Sequence, residues 1–305
     1  MKKQKKYSGI VIPMLTPFTD DGKIDLEAVE RITDTFISKG VYPFILGTTG
    51  EGPSLSSKER RRFVEFICKK YSGKTIIYAG LSGNCVEESI ESAKEFIDLG
   101  TDVIVAVLPS YFALKAGQMQ KYFESVAESI SKPMIIYNIT ATTHMSIPLD
   151  VVEKLSHHPN IVALKDSERD LTRLDTAIDI FKDRDDFSHL IGWAAKSFYG
   201  LSKGSDGLVP STGNITPGMF KKMYDAVLEG NLEIGERLQN ETDQLASIYQ
   251  SDKTLGESLA AAKIIMEEFG LCKNYVLPPL TPLNKINVEE IKSKLHDLRE
   301  RVELY

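Results

Sequence analysis

Cysteine is scarce: the 305 residues include three, Cys68, Cys85 and Cys272. An odd, widely spaced set with no paired Cys-x-x-Cys excludes a disulfide scaffold or zinc ribbon. It fits a reducing cytoplasm, with the thiols packed as small hydrophobes. Histidine is also sparse. His157 and His158 are adjacent, precede Pro159-Asn160, and lack the i, i+4 spacing of a helical metal pair, so no metal is expected. No apolar run approaches a membrane-spanning length. Residues 10–15 are too few for a signal-peptide core and contain Pro13, so the opening Met1-Lys2-Lys3-Gln4-Lys5-Lys6 reads as a solvated basic tail. Positive charge is not in excess: 37 Lys and Arg against 43 Asp and Glu leave a net charge of −6, which argues against a nucleic-acid partner. A glycine-rich nucleotide turn is missing as well. The first strand runs into Leu15-Thr16-Pro17-Phe18, with no G-x-G-x-x-G, and this counts against a doubly wound dinucleotide fold.

What is present is a repeat of short apolar runs separated by helical periodicity. The runs are 9–14, 42–46, 75–79, 103–108, 134–137, 161–165, 189–192 and 207–209. Between them, Leu26, Val29, Ile32 and Phe36 share one helical face, and Val86, Ile90, Ala93 and Ile97 another. Gly40 and Gly100 stand where such helices should stop, and Ser56-Ser57-Lys58-Glu59 resembles a capped start. Eight alternating units predict an α/β fold, a closed (β/α)8 TIM barrel over residues 1–230. Beyond it the strand pattern stops. Segments 232–249, 254–269 and 288–302 read as three helices, a C-terminal extension over residues 231–305 with a proline-rich link at Pro278-Pro279.

In such a barrel, chemistry collects at the C-terminal strand ends. Strand six is Ile161-Val162-Ala163-Leu164 running into Lys165. A lysine at the end of a buried strand is desolvated, which frees its neutral amine as a nucleophile; the alternative is a lysine that reaches solvent or pairs with Asp166. Strand five ends in Tyr137-Asn138. Strand two ends in Gly47-Thr48-Thr49-Gly50-Glu51-Gly52, where hydroxyls and backbone amides can approach a small anion. Strand four leads into Pro109-Ser110-Tyr111-Phe112, strand seven ends in Gly192, which leaves room for a ligand, and strand eight leads into Ser211-Thr212-Gly213-Asn214. Each has a structural alternative: Tyr137 as a core tyrosine, the glycines as turn formers, Tyr111 as a surface aromatic. Together, a lysine, two tyrosines and paired threonines on one rim form a set suited to imine chemistry on a ketone.

Thr16-Pro17-Phe18, Gly47-Thr48-Thr49-Gly50-Glu51, Tyr137-Asn138, Leu164-Lys165-Asp166, Gly192 and Leu277-Pro278-Pro279-Leu280-Thr281-Pro282 stand in an order that resembles the dihydrodipicolinate synthase / N-acetylneuraminate lyase family of pyruvate-dependent class I aldolases. The resemblance implies a Schiff base on Lys165, no cofactor beyond it, and a homotetramer built as a dimer of dimers. It further implies Tyr137 as the proton-transfer residue and Thr48 as its link to Tyr111, which in many members enters the neighbouring site. The carboxylate of pyruvate or another small 2-oxo acid would lie on Thr48 and Thr49. Ser167, Gly192 and Ser211 complete the expected substrate contacts, with an aldehyde as the second partner.

The departures bear on substrate. Synthases of the family usually carry Tyr-Asn-x-Pro-x-Arg, whose arginine receives a substrate carboxylate. Here the segment is Tyr137-Asn138-Ile139-Thr140-Ala141-Thr142, and a threonine hydroxyl does not replace a bidentate guanidinium. Ser110 stands where lysine-regulated synthases have tyrosine, although Asn84 and Glu88 remain. The sialic-acid branch carries an acidic pair after the strand-seven glycine, where this chain has Trp193-Ala194-Ala195. Gly47 to Pro53 resembles 2-keto-3-deoxygluconate aldolases, and His157 to Ser167 is similar to hydroxy-oxoglutarate aldolases. His144 is a candidate contact for the distal end of the substrate. The expected activity is therefore aldol cleavage of a 2-keto-3-deoxy sugar acid or a 4-hydroxy-2-oxoglutarate-type acid. Dihydrodipicolinate synthesis, N-acetylneuraminate cleavage and a non-catalytic ligand-binding barrel are the alternatives.

Overall fold

All eight expected strands form, and they close into one parallel barrel. The computed structural model describes residues 5–304. The strands are β1 (Gly9–Pro13), β2 (Tyr42–Ile45), β3 (Tyr78–Leu81), β4 (Val103–Val107), β5 (Met134–Asn138), β6 (Ile161–Asp166), β7 (Ser188–Ile191) and β8 (Gly207–Leu208), in sequential order with β8 pairing back to β1. The outer ring contains α1 (Leu26–Ser38), α2 (Ser57–Tyr71), α3 (Val86–Asp98), α4 (Ala116–Glu128), a single turn α5 (Thr140–Thr143), α6 (Leu149–Leu155), α7 (Leu171–Phe181), α8 (Ser197–Lys203) and α9 (Pro217–Leu228). Then come the three expected helices of the extension, α10 (Leu232–Gln250), α11 (Leu255–Glu268) and α12 (Lys285–Arg299). Two apolar clusters divide the core. Val11, Phe44, Tyr78, Val105, Ile135 and Leu190 belong to the smaller one, gathered from inward-pointing strand positions. The larger lies between the strands and the surrounding helices, and it continues into α10–α12.

The local signals act as expected at most boundaries. Ser56 caps α2 by accepting from the Glu59 N–H at 3.3 Å. Gly40 and Gly100 follow their helices with φ of +70° and +112°, a region a side chain would strain. Two expectations shift. β3 starts at Tyr78, not at residue 75, because Asp102 captures the Ile77 N–H at 2.9 Å and the Ile77 carbonyl accepts from Asp102 and Val103, so the ladder to β4 begins only afterwards. On α3 the buried stripe is Ser89, Ala93 and Phe96, leaving Val86 exposed. The Phe96 ring joins Ile90, Ala93 and Ile97 against the core, so that of the expected face only Val86 is left out.

The basic tail is corrected in part. Residues 1–4 lie outside the described residues, but Lys5 is not solvated. It is buried, and its ammonium donates to Asp206 Oδ2 and to the Phe181 and Phe187 carbonyls, each at 2.8 Å. The cysteines also divide. Cys68 and Cys272 are buried, and burial pushes their thiols up to about 11 and about 12, whereas Cys85 is exposed. Among the described residues no helix is long and apolar enough to cross a membrane.

Below the site, His189 of β7 is buried with Nδ1 3.0 Å from Ser205 Oγ, and its Nε2 has no hydrogen-bond partner. Burial is the main cause that pulls its pKa down to about 4, helped by Lys5 and Arg173 and opposed by Asp206. The unfolded chain binds this proton near pH 6.5 and the folded one does not. Stability is therefore expected to fall as pH drops from about 6.5 towards 4, and His189→Gln should flatten that limb of an unfolding-versus-pH series.

Candidate active site

Register places the two central residues side by side. Between β5 and β6, Tyr137 is the neighbour of Lys165 and Asn138 the neighbour of Asp166. Neighbours in register point to the same face of a sheet, and successive residues to opposite faces. Tyr137 and Lys165 thus project into the barrel together, while Asn138 and Asp166 project outward. The Lys165 ammonium nitrogen sits 3.6 Å from the Tyr137 ring centroid and 4.8 Å from that of Phe44. Lys165 is 4% exposed. Burial pulls its pKa down, with Tyr137 opposing only in part.

A pairing of Lys165 with Asp166 is ruled out by the same alternation. Asp166 is spent outside the barrel, accepting from Arg173 Nε at 2.7 Å, Asn138 Nδ2 at 2.8 Å and the Glu168 N–H at 3.1 Å. Asn138 also donates to Glu168 and accepts from the Ile147 N–H, and Arg173 donates to the Ile147 carbonyl. This network fixes the ends of β5 and β6, and so the relative placement of the two inward side chains. Sequence reading missed it. The signal was there in Asn138 and Asp166, each directly after a candidate catalytic residue.

The threonine loop arrives from β2. Thr48 Oγ1 lies 3.5 Å from Tyr137 Oη, at the outer limit of a hydrogen bond. The loop is bracketed by two non-glycine residues in the left-handed region, Leu46 (φ 60°) and Glu51 (φ 54°). Its path is narrow: a Cβ on Gly52 would come within 2.1 Å of the Leu46 carbonyl oxygen. Thr16 Oγ1 donates to the Gly50 carbonyl at 2.6 Å. Thr48 and Thr49 are half-buried at the rim.

A cavity of about 330 Å³ opens beside these groups, with Thr48, Tyr137, Arg60, Ser82, Asn84 and Thr142 in its lining. Thr142 faces it from the turn after β5, as the arginine-to-threonine comparison anticipates. His144, two residues on, is exposed with φ 57°. Arg60 was not anticipated. It donates to the Ser82 carbonyl at 3.2 Å, and its buried Nε has no hydrogen-bond partner.

The remaining expected site residues separate. Gly192 and Ser167 are in contact: a Cβ on Gly192 would lie 2.0 Å from Ser167 Oγ. Ser211 turns towards the extension, where its hydroxyl is 3.2 Å from Tyr249 Oη. Tyr111 is 78% exposed and packs edge-on against Phe112 at 4.9 Å. Asn84 Oδ1 accepts from the Ser110 and Tyr111 N–H groups, which holds that backbone while the ring points outward. The Gly192 contact yields an expectation. Gly192→Ala must displace Ser167 or the end of β6, costing about 1–3 kcal/mol of stability and lowering catalytic efficiency. Ser167→Ala should partly restore both in the double variant, as measured by thermal unfolding and initial rates.

Comparison with known proteins agrees with this fold. The profile of the dihydrodipicolinate synthetase family matches residues 6–298. The 4-hydroxy-tetrahydrodipicolinate synthase of Laribacter hongkongensis is 28% identical, over 94% of this chain and 97% of that protein. An Escherichia coli protein named "Probable 2-dehydro-3-deoxy-D-pentonate aldolase YjhH" is 29% identical, over 96% and 97%. The crystal structure of Escherichia coli YagE in complex with pyruvate superposes with a TM-score of 0.91 at 27% identity, covering 96% of this chain and 99% of that one. Lysine at the end of β6, tyrosine beside it, the threonine turn after β2 and the match across nearly the whole chain lead to one conclusion: the protein belongs to the dihydrodipicolinate synthetase family, and is a lyase of the aldolase type.

Proposed function

We propose that the enzyme cleaves a small 2-oxo acid, of the 2-keto-3-deoxy sugar acid or 4-hydroxy-2-oxoglutarate type, to pyruvate and an aldehyde through a Schiff base on Lys165. The observation that carries this reading is the register pair itself, a buried amine with no carboxylate partner beside a phenol in the barrel mouth. The free amine attacks C2 of the substrate while Thr48 and Thr49 hold its carboxylate. A proton passes through Tyr137 as water leaves, giving an iminium. The C4 hydroxyl then loses its proton to the Tyr137 oxygen, the C3–C4 bond breaks, and its electrons move into the iminium to form an enamine. The aldehyde departs. Protonation at C3 and addition of water release pyruvate and restore the amine.

Thr142 and the Trp193-Ala194-Ala195 segment favour this class over the family's alternatives. The first offers no guanidinium to a semialdehyde carboxylate at that position, and the second no acids to a long polyol. Arg60 in the cavity lining is a group that suits a second carboxylate, whether of the oxoglutarate type or of the semialdehyde, and does not separate the two. Thr48 lies between Tyr137 and the rim. In a dimer of dimers of the kind expected from sequence, the exposed Tyr111 would meet it from a second copy. A screen of 2-oxo acids of increasing length, scored by pyruvate release, tests the reading. Turnover only in the condensation of pyruvate with aspartate semialdehyde, followed with a coupled reductase, would replace it by the synthase.

A further inference from the structure

The extension is bonded to the rim of the barrel by polar groups at three loops. Gln239 of α10 accepts from the Phe198 N–H and donates to the Ala194 carbonyl in the segment after β7. Tyr249 of α10 meets Ser211 and Thr212 after β8, at 3.2 and 2.8 Å. The third contact is the deepest. Lys263 of α11 reaches the loop after β2 and forms an ion pair with Glu51, both side chains being 0% exposed. Its ammonium also donates to the Tyr275 carbonyl at 2.7 Å and lies 4.1 Å from the Phe18 ring centroid. The other Glu51 oxygen accepts from the Leu277 N–H at 3.0 Å.

We infer that Lys263 and Glu51 are positioning residues for Thr48 and Thr49, so that the C-terminal helices form part of the substrate-carboxylate site. This rests on the reading above, in which those threonines hold the carboxylate. Both Glu51 oxygens are tied to the extension. Its backbone is left-handed, a conformation that persists in a non-glycine residue only where the surroundings hold it. From there the tether is short: the Glu51 N–H donates to the Thr48 carbonyl at 3.1 Å, and the Gly52 N–H to that of Gly47 at 3.2 Å. Lys263 thus fixes Glu51, and Glu51 fixes the peptide that carries the first threonine. A fully buried ion pair is an uneconomical way to join two domains, since apolar packing of similar volume serves stability as well or better. What the pair adds over apolar packing is direction. It sets the orientation of one carboxylate, and through it the backbone of the turn.

The test uses the full-length chain and pyruvate as the probe, with borohydride trapping on Lys165 measured against pyruvate concentration. The variants are Glu51→Gln, Lys263→Met and the double variant, which removes both charges. Glu51→Asp keeps the charge and shortens the tether by one methylene, and it guards against misfolding of the others. In every variant that unfolds cooperatively, the half-saturating pyruvate concentration is expected to rise at least about tenfold, or about 1.4 kcal/mol. Trapping at saturation should still fall on Lys165. If half-saturation stays within about twofold of the parent while only the melting temperature drops, the pair is structural and the positioning role is overturned. A parent protein that traps no pyruvate would instead refute the imine reading itself, so the two failures are distinguishable.

Discussion

Replacing Lys165 with alanine is expected to abolish covalent capture of pyruvate and to lower turnover by at least about 10³-fold, the scale on which removing a covalent nucleophile acts. The loss should appear in kcat, because the threonine turn that would hold the carboxylate is built from other elements and remains. A second outcome separates a lysine held for chemistry from one that supports the fold. The folded pKa of Lys165 lies below its unfolded value because burial disfavours the ammonium. The sign follows from linkage: between those two values the unfolded chain binds a proton that the folded chain sheds, so the residue lowers stability increasingly as pH falls below the unfolded value near 10.4. Lys165→Met removes that penalty while filling the same space. It should therefore be inactive yet melt at a higher temperature than the parent at neutral pH. A functional group held at a cost to the fold behaves in this way.

Tyr137→Phe is expected to leave the imine accessible but slow. Phenylalanine keeps the ring over which the Lys165 nitrogen sits, 3.6 Å from the centroid, so packing and burial of the amine change little. What goes is the hydroxyl, and with it proton transfer at carbinolamine dehydration and at bond cleavage, worth about 10²–10³-fold in rate. Trapping by borohydride at long incubation should still occur on Lys165, whereas initial rates of pyruvate release collapse. Equal loss of both would mean that Tyr137 shapes the pocket and does not move protons.

These expectations could be framed from sequence because the relevant signals are local. A lysine closing an apolar run and a tyrosine closing the run before it were legible as strand ends, and parallel order then made them neighbours. The eight-strand repeat was legible for the same reason: each strand is a short apolar run broken by a helix with period 3.6. What was not legible depends on contacts distant in the chain. Lys5 looked solvated because its partner Asp206 lies on the far side of the barrel seam. Lys263 is one of four charged residues on α11, with Glu257, Glu267 and Glu268, and nothing near it in sequence points to Glu51. Ser211 was read as a substrate contact, and its 3.2 Å contact with Tyr249 of α10 could not be seen from its place after β8. The start of β3 moved by three residues because the side chain of Asp102, on the next unit, competed for the Ile77 amide. In each case a polar group from another unit decided the outcome, and periodicity carries no record of such groups.

The central claim is that a 2-oxo acid bonds covalently to the amine paired in register with Tyr137. Its most direct test is mass spectrometry of the parent protein after borohydride reduction with pyruvate present, followed by peptide mapping. The expected result is one reduced pyruvate adduct per chain, located on Lys165 and missing in Lys165→Ala. An unmodified protein, or an adduct on any other lysine, would contradict it.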